Sequence, residues 1–166
     1  NDDGPVLRYD LRGKVTKLAE PFADAADATG ATALEMFPGE LGTAYTFDEM
    51  DVTVDKIEYS TDPLVKPALK AGERFLVVHV TLKNMVTKER YLRYDFFAPE
   101  VTSPDGEVLK YRDLLFATTD RPIAQNLKPD TELRGRMVFF VPAGVTAQTL
   151  ILRRSKGHGA VFTVAN

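Results

Sequence analysis

Residues 71–84, Ala-Gly-Glu-Arg-Phe-Leu-Val-Val-His-Val-Thr-Leu-Lys-Asn, form the most apolar and most β-branched run of the chain. With a period of two, one face of this run is wholly aliphatic and consists of Leu76, Val78, Val80 and Leu82. The other face is mixed, because it includes His79 and Thr81. The run is short for a helix, and Val and Thr favour a pleated surface. It therefore predicts a central strand with one buried face and one partly covered face.

A break in the alternation precedes this strand. The side chains that alternate first are Tyr45, Phe47, Met50, Val52 and Val54, after which the apolar phase slips to Ile57 and Tyr59. One extra residue in a strand moves every later side chain to the opposite face. We therefore predict a β-bulge near Asp55-Lys56.

Further strands follow the central run. Ser103-Pro104-Asp105-Gly106 is a strong β-turn signal and predicts a hairpin between residues 94–102 and 108–111. We interpret residues 112–130 as a long connection with a helical turn at 113–117. The remaining predicted strands cover residues 133–141, 150–153 and 160–164. Short strands with Gly and Pro turns, without a βαβ rhythm, predict an all-β antiparallel sandwich.

The N-terminal part of the chain has a different texture. Residues 1–43 contain short strand-like runs at 6–11 and 14–18, and then an Ala-, Asp- and Thr-rich segment interpreted as a loop or weak helix. We divide the chain into an N-terminal extension, 1–43, and a sandwich, 44–166. The first residue is Asn1 and not methionine. We therefore expect a processed or truncated form, which a removed signal peptide or lipid anchor would explain.

Composition excludes several classes of function. The chain has 21 basic and 24 acidic residues and a net charge of −3, without the basic stripe that a nucleic-acid-binding protein needs. It has no cysteine, which excludes disulfides, thiolate catalysis and thiolate metal sites. No apolar run approaches the roughly 20 residues that span a bilayer. We therefore expect no nucleic-acid partner, and membrane attachment only through a removed N-terminal lipid anchor.

The order of these motifs resembles a known family. The segments that carry the resemblance are V-T-V-D-K-I-E at 52–58, K-A-G-E-R-F-L-V-V-H-V-T-L-K-N at 70–84, the S-P-D-G turn, L-K-P-D-T-E-L-R-G-R-M-V-F-F-V-P at 127–142 and L-I-L-R at 150–153. In this order the chain resembles the bacterial extracellular immunoglobulin-like domains of unknown function. Those domains are related in fold to the mycobacterial immunoprotective antigen and occur in envelope lipoproteins. The resemblance implies an immunoglobulin-like sandwich, secreted or envelope-anchored, with no defined activity.

Candidate catalytic and metal-binding groups are sparse. The two histidines, His79 and His158, have no ligand-spaced neighbours, and no serine lies in a Gly-x-Ser-x-Gly motif. We therefore predict no enzyme and no cofactor. The acidic residues Asp48, Glu49 and Asp51 could offer oxygen ligands to calcium, although the spacing of an EF-hand is absent.

Tyrosine and arginine side chains give the best candidate for an interaction face, since these residues anchor protein interfaces. We select Tyr91, Arg93, Arg134 and Arg136, and the alternative is that the arginines coat a solvated sheet face. The first hypothesis is a non-enzymatic module that binds another envelope protein. The second is a carrier of a small molecule or metal ion, calcium included, at the loop end of the sandwich. The third is an enzyme with a dispersed acidic site, which no paired carboxylates support.

Overall fold

The computed structural model describes residues 36–47, 49–154 and 159–164. In these ranges the chain forms strands and no helix, so no helix there is long and apolar enough to cross a membrane. The predictions for residues 1–35 and for His158 lie outside the described residues. The strands are β1 (Met36–Pro38), β2 (Ala44–Phe47), β3 (Met50–Ser60), β4 (Arg74–Asn84), β5 (Arg90–Leu92), β6 (Glu100–Thr102), β7 (Val108–Phe116), β8 (Gln125–Leu127), β9 (Glu132–Val141), β10 (Thr149–Leu152) and β11 (Gly159–Thr163).

The strands form two layers that share β7. One layer has the order β1-β11-β10-β6-β7, and the other has the order β7-β9-β4-β3-β2. The start of β7 pairs with β6, and from Lys110 onward β7 pairs with β9, so this strand passes from one layer to the other. β5 and β8 form a separate two-stranded ribbon. The prediction of an all-β, immunoglobulin-like sandwich is confirmed.

The central run is β4, which lies between β3 and β9 in the second layer. Its aliphatic face is buried: Leu76, Val78 and Leu82 have no exposed surface, and Val80 is 1% exposed. These residues pack in the main core with side chains of the other layer, such as Leu150 and Phe162. Burial of each such side chain contributes about 1.5–3 kcal/mol before the entropy of ordering is subtracted. The predicted core face is therefore confirmed.

The predicted bulge lies in β3. Val54 pairs with Val80 and Lys56 pairs with His79, so Asp55 is the extra residue of β3. The alternation before the bulge belongs to two strands and not to one, because Phe47 pairs with Met50 across a tight hairpin. The step of three positions from Phe47 to Met50 breaks the period of two, so the sequence carries a signal for this turn that the interpretation as one strand missed.

The hairpin at residues 103–106 is confirmed, but its first strand is shorter than predicted. Gly106 has a φ of 82° and donates to the Ser103 carbonyl, as the turn requires. Of the predicted residues 94–102, only Glu100–Thr102 is a strand, whereas residues 94–97 form a turn and a bend. The Phe96 N–H donates back to the Arg93 carbonyl, and Pro99 has no N–H for a ladder.

The helical turn predicted at 113–117 is wrong, because this segment continues β7. Leu114 packs in the main core, and Leu115 packs in a second apolar cluster on the other side of the sheet. A strand that is buried on both faces has no alternation of apolar and polar residues and cannot be distinguished from a helix by periodicity. β8 also lies in the predicted 112–130 connection, so that segment is not one long loop.

β1 lies before the predicted domain boundary at residue 43. It pairs in parallel with β11, from Met36 with Gly159 to Pro38 with Val161. The Phe37 ring contacts Tyr45 of β2, with the ring centroids 5.3 Å apart. Residues 36–38 are therefore part of the sandwich, and the rest of the predicted extension stays a prediction.

Candidate functional site

The outer face of β3, β4 and β9, which points away from the main core, is covered over only part of its length. Toward one end it carries the second apolar cluster, in which Phe75, Val77 and Val138 pack with Leu64 of the 61–70 segment. Toward the other end the same strands carry charged and hydroxyl side chains. Among the described residues, the 61–70 segment therefore covers the apolar half of this face, and the polar half stays open.

The bulge determines which side chains of β3 reach this open half. Val54 and Ile57 point inward at register positions opposite Val80 and Val78. Regular alternation would place one residue between them on the outer face, but the bulge places two there, Asp55 and Lys56, and both are exposed. Bulges are frequent beside functional sites because they redirect side chains in this way.

Two hydrogen-bonded groups join β3 to β4 beside the bulge. His79 Nε2 donates to Glu58 Oε1 at 2.8 Å, and the Lys56 ammonium also pairs with Glu58. The hydrogen bonds from Lys56 and from His79 lower the pKa of the Glu58 carboxyl below its ordinary value. On the other side of His79, the Thr81 hydroxyl donates to Asp55 Oδ2 at 2.8 Å. The predicted place of His79 on the half-exposed face is confirmed.

Arg136 of β9 holds a neighbouring loop in place. It pairs with His79 in the strand register, and only 14% of its side chain is exposed. Its guanidinium donates to the Phe116 carbonyl at 3.2 Å, to the Thr119 carbonyl at 2.9 Å and to the Asp120 carboxylate at 2.9 Å. These bonds fix the segment that follows β7 against the sheet.

Arg134 of β9, in contrast to Arg136, does not bind a neighbouring loop of the described ranges through its guanidinium. It pairs with Thr81 in the strand register, and it is exposed. Its carbonyl accepts a hydrogen bond from the Ala117 N–H at 3.1 Å. In the described part of the chain, its guanidinium has no hydrogen-bond or ion-pair partner.

These elements surround an open depression of about 410 Å³ on the sheet. We call it the bulge depression, and its lining residues are Asp55, Lys56, His79, Val80, Ala117, Arg134 and Gly135. Gly135 permits close packing beneath it, since an added Cβ would lie 3.0 Å from Ile123 Cδ1 and 3.1 Å from the Leu115 carbonyl oxygen. The bulge depression lies on the sheet face and not at the loop end of the sandwich, where the carrier hypothesis expected a pocket.

The four residues selected from the sequence lie on two different elements. Tyr91 belongs to the β5–β8 ribbon, where it is 55% exposed, and Arg93 directly follows β5 and pairs with Asp95. Arg134 and Arg136 lie on β9. The role of all four in an interaction stays a prediction.

Lys56, Glu58 and Thr81 were not selected from the sequence. The predicted slip in the apolar phase was a signal for Lys56, because a bulge places two consecutive residues, here Asp55 and Lys56, on the outer face. No local signal identified the other two, since their contacts depend on the diagonal pairing of β3 with β4.

The acidic residues proposed for calcium are engaged in other contacts where the structure describes them. The Glu49 carboxylate pairs with Arg90, and Asp51 accepts a hydrogen bond from the Thr46 hydroxyl. Asp48 lies outside the described residues. Across the described ranges, no group of three or more His, Cys, Asp or Glu side chains could hold a metal ion. Calcium binding stays a prediction.

Nothing in the described ranges indicates catalysis. Ser60 Oγ accepts a hydrogen bond from the Asp62 N–H, and Ser103 Oγ accepts one from the Glu107 N–H. Both hydroxyls therefore stabilise turns. The only histidine in these ranges, His79, bonds to Glu58 and to neither serine.

Comparisons with solved structures agree with the fold. An uncharacterized β-sandwich protein from Clostridium difficile 630 superposes with a TM-score of 0.58 and 16% identity, over 76% of this chain and 92% of that one. The secreted protein MPT63 of Mycobacterium tuberculosis superposes with a TM-score of 0.54 and 14% identity, over 77% of this chain and 98% of its own. The Bacillus subtilis protein ycdA, described as a "putative lipoprotein", gives a TM-score of 0.52 and 14% identity, over 75% of this chain and 39% of that one.

Sequence comparison gives the family. No protein of curated function matches the chain. The family described as Domain of unknown function (DUF4352) matches residues 39–160, which is more than half of the chain and includes β2 to β10. The match agrees with the resemblance seen in the order of the sequence motifs. The chain therefore belongs to the DUF4352 family.

Proposed function

We propose that this protein is a non-enzymatic binding module of the cell envelope or the extracellular space, and that it presents the open half of the β3-β4-β9 face to another envelope protein. The observation that carries the proposal is the contrast between the two halves of this face. The 61–70 segment covers the apolar half, whereas the polar half contains the bulge depression and the exposed guanidinium of Arg134.

The location is supported by the proteins that share the fold. The similar structures include one secreted protein and one described as a lipoprotein, and both are similar to this chain in fold alone. The chain has no cysteine, so its fold is independent of the redox state of the compartment. Attachment to a membrane would come from an N-terminal lipid anchor.

The preorganisation of the face supports binding. Arg136 holds the loop that borders the bulge depression, and Glu58 holds Lys56 and His79. Side chains that are already fixed lose less conformational entropy when a partner binds. Because the net charge of the protein is −3, it has no overall electrostatic attraction for the phosphate backbone of a nucleic acid.

Site-specific photo-crosslinking tests this proposal. A photoreactive phenylalanine analogue is placed at Thr81 in the open half, and the matched control carries it at Val108, which is 59% exposed on β7. The probed material is an envelope extract of the source bacterium. We expect one discrete crosslinked species from position 81 and none from position 108. No species from position 81, or the same species from both positions, would contradict the proposal.

A further inference from the structure

We propose that the bulge depression binds a carboxylate side chain, Asp or Glu, of the protein partner, with Arg134 as the bidentate donor and Lys56 as the second cation. This inference rests on the proposed function, because it names the chemistry that the open face recognises. It begins from the guanidinium of Arg134, which within the described ranges makes no hydrogen bond or ion pair with its own chain.

The contrast between two arginines of β9 identifies the donor. Arg136 uses its guanidinium on two carbonyls and one carboxylate of its own chain. Arg134, two residues earlier on the same face, has none of these partners within the described ranges and is exposed. A guanidinium offers five N–H donors in a planar fork, and that fork matches the two oxygens of a carboxylate.

The carboxylates near Arg134 are already engaged by other groups. Asp55 accepts the Thr81 hydroxyl hydrogen bond, and Glu58 accepts from both Lys56 and His79. Hydrogen bonds to the charged form lower the pKa of Glu58, so this carboxylate keeps its negative charge and its two partners. Glu58 thus pairs with Lys56 and bonds to His79, and within the described ranges the guanidinium of Arg134 is left for an external anion.

The shape of the bulge depression favours a side chain carried by a peptide over a free ion. Its volume of about 410 Å³ is larger than a single carboxylate group needs. Its lining includes the half-buried Ala117, whose methyl group suits the methylene groups of an acidic side chain, whereas Val80 is buried and points into the core. The bond from the Ala117 N–H to the Arg134 carbonyl, 3.1 Å long, fixes the wall beside the donor.

Fluorescence anisotropy with a labelled Gly-Glu-Glu-Gly peptide tests the assignment. The comparison peptide is Gly-Gln-Gln-Gly, which has the same shape without the charge. The variants are Arg134→Ala, Arg134→Lys and the control Lys110→Ala. Lys110 is an exposed cation that pairs with Phe140, six positions from Arg134 along β9 and therefore about 20 Å away.

We expect the glutamate peptide to bind the unaltered protein and the glutamine peptide not to bind. Arg134→Ala should weaken binding about tenfold or more, Arg134→Lys should weaken it less because a point charge replaces the fork, and Lys110→Ala should change it by less than about twofold. Raising the salt concentration from about 0.05 M to 0.2 M should weaken binding, since the contact is exposed and ionic.

Three outcomes would overturn the assignment. They are equal binding of the two peptides, equal effects of Arg134→Ala and Lys110→Ala, and full displacement of the glutamate peptide by inorganic phosphate at an equal concentration. The last would mean that the bulge depression recognises phosphate and not a protein carboxylate. If crosslinking at position 81 still captures a discrete partner, the proposed function stands and only the carboxylate assignment fails.

Discussion

Deletion of Asp55 should leave the core of this sandwich intact. Val54 and Ile57 both point inward, and they are separated by the two outward residues of the bulge. Without Asp55, regular alternation from Val54 through Lys56 to Ile57 keeps every inward side chain of β3 in place. The deletion removes the hydrogen bond from Thr81, which is worth about 0.5–1.5 kcal/mol for a typical intramolecular bond and less at an exposed site. We expect a loss near 1 kcal/mol.

Deletion of Thr53 is the matched control, because it removes an outward residue from the regular part of the same strand. The chain can then restore its pairing in two ways, which place either Asp51 where Val52 was or Asp55 where Val54 was. Both valines are fully buried. Each way loses about 1.5–3 kcal/mol of apolar burial and also moves a carboxylate into the core, which costs several kcal/mol more. The total loss should exceed about 4 kcal/mol, a large part of the 5–15 kcal/mol that stabilises a domain.

Urea unfolding followed by far-ultraviolet circular dichroism measures both losses, since the chain has no tryptophan for fluorescence. The Asp55 deletion should shift the midpoint slightly without changing the slope, and it should lower Tm by about 2–4 °C. The Thr53 deletion should give little soluble protein or a non-cooperative transition. If the two deletions destabilise the protein equally, Asp55 is not the extra residue and the explanation of the site through the bulge is wrong.

Five other substitutions test separate parts of the structure. Val78→Asp places an unpaired charge at a position with no exposed surface and should abolish folding; a soluble variant that melts cooperatively would disprove the placement of β4. Tyr59→Phe removes the acceptor of the Ala147 N–H, 2.9 Å away, and should cost about 1–3 kcal/mol in urea unfolding, whereas no change would mean that water replaces the hydroxyl. Asn84→Ala removes a buried amide that donates to the Leu127 carbonyl at 2.9 Å, and we expect at least the same loss, with a smaller one contradicting its structural role. Burial raises the pKa of Asp113, so the folded state binds its proton more tightly and this group favours folding below its ordinary pKa of 3.8. Asp113→Asn should therefore stabilise the protein at pH 7 and not at pH 3. The pKa of Glu58 is lowered, so Glu58→Gln should destabilise the protein at pH 7 and lose that effect as the pH falls below 4.5. Urea unfolding at pH 7 and at pH 3 checks both signs.

Local patterns predicted the parts of the fold that local chemistry determines. The faces of β4 follow from alternation, and the turn at 103–106 follows from the conformations that Pro104 and Gly106 favour. The end of β7 could not be predicted in this way, because Leu114 and Leu115 are buried on opposite sides and the pattern has no polar face. That second side exists only because the 61–70 segment folds over it.

The candidate site depended even more on contacts distant in sequence. Arg134 was selected for its residue type, and the role proposed for it depends on its place beside Thr81 and the bulge, which only the pairing of β4 with β9 sets. Arg136 was selected for the same reason and proved to be committed to its own chain. Nothing local distinguishes these two arginines, since both point outward from one strand at adjacent outward positions.

The bulge at Asp55 belongs both to the fold of β3 and to the candidate site. If the Asp55 deletion is nearly neutral, β3 does not need its extra residue for the core, because Val54 and Ile57 reach the same inward positions without it. What the extra residue changes is the outer face, where it adds a carboxylate beside Lys56 and a partner for Thr81. In that case the bulge, at the edge of a depression with an exposed guanidinium, would support the proposed binding role, since stability would not require it. A slip in the apolar phase of a strand that exposes two consecutive charged residues can therefore indicate a candidate site from the amino-acid sequence alone.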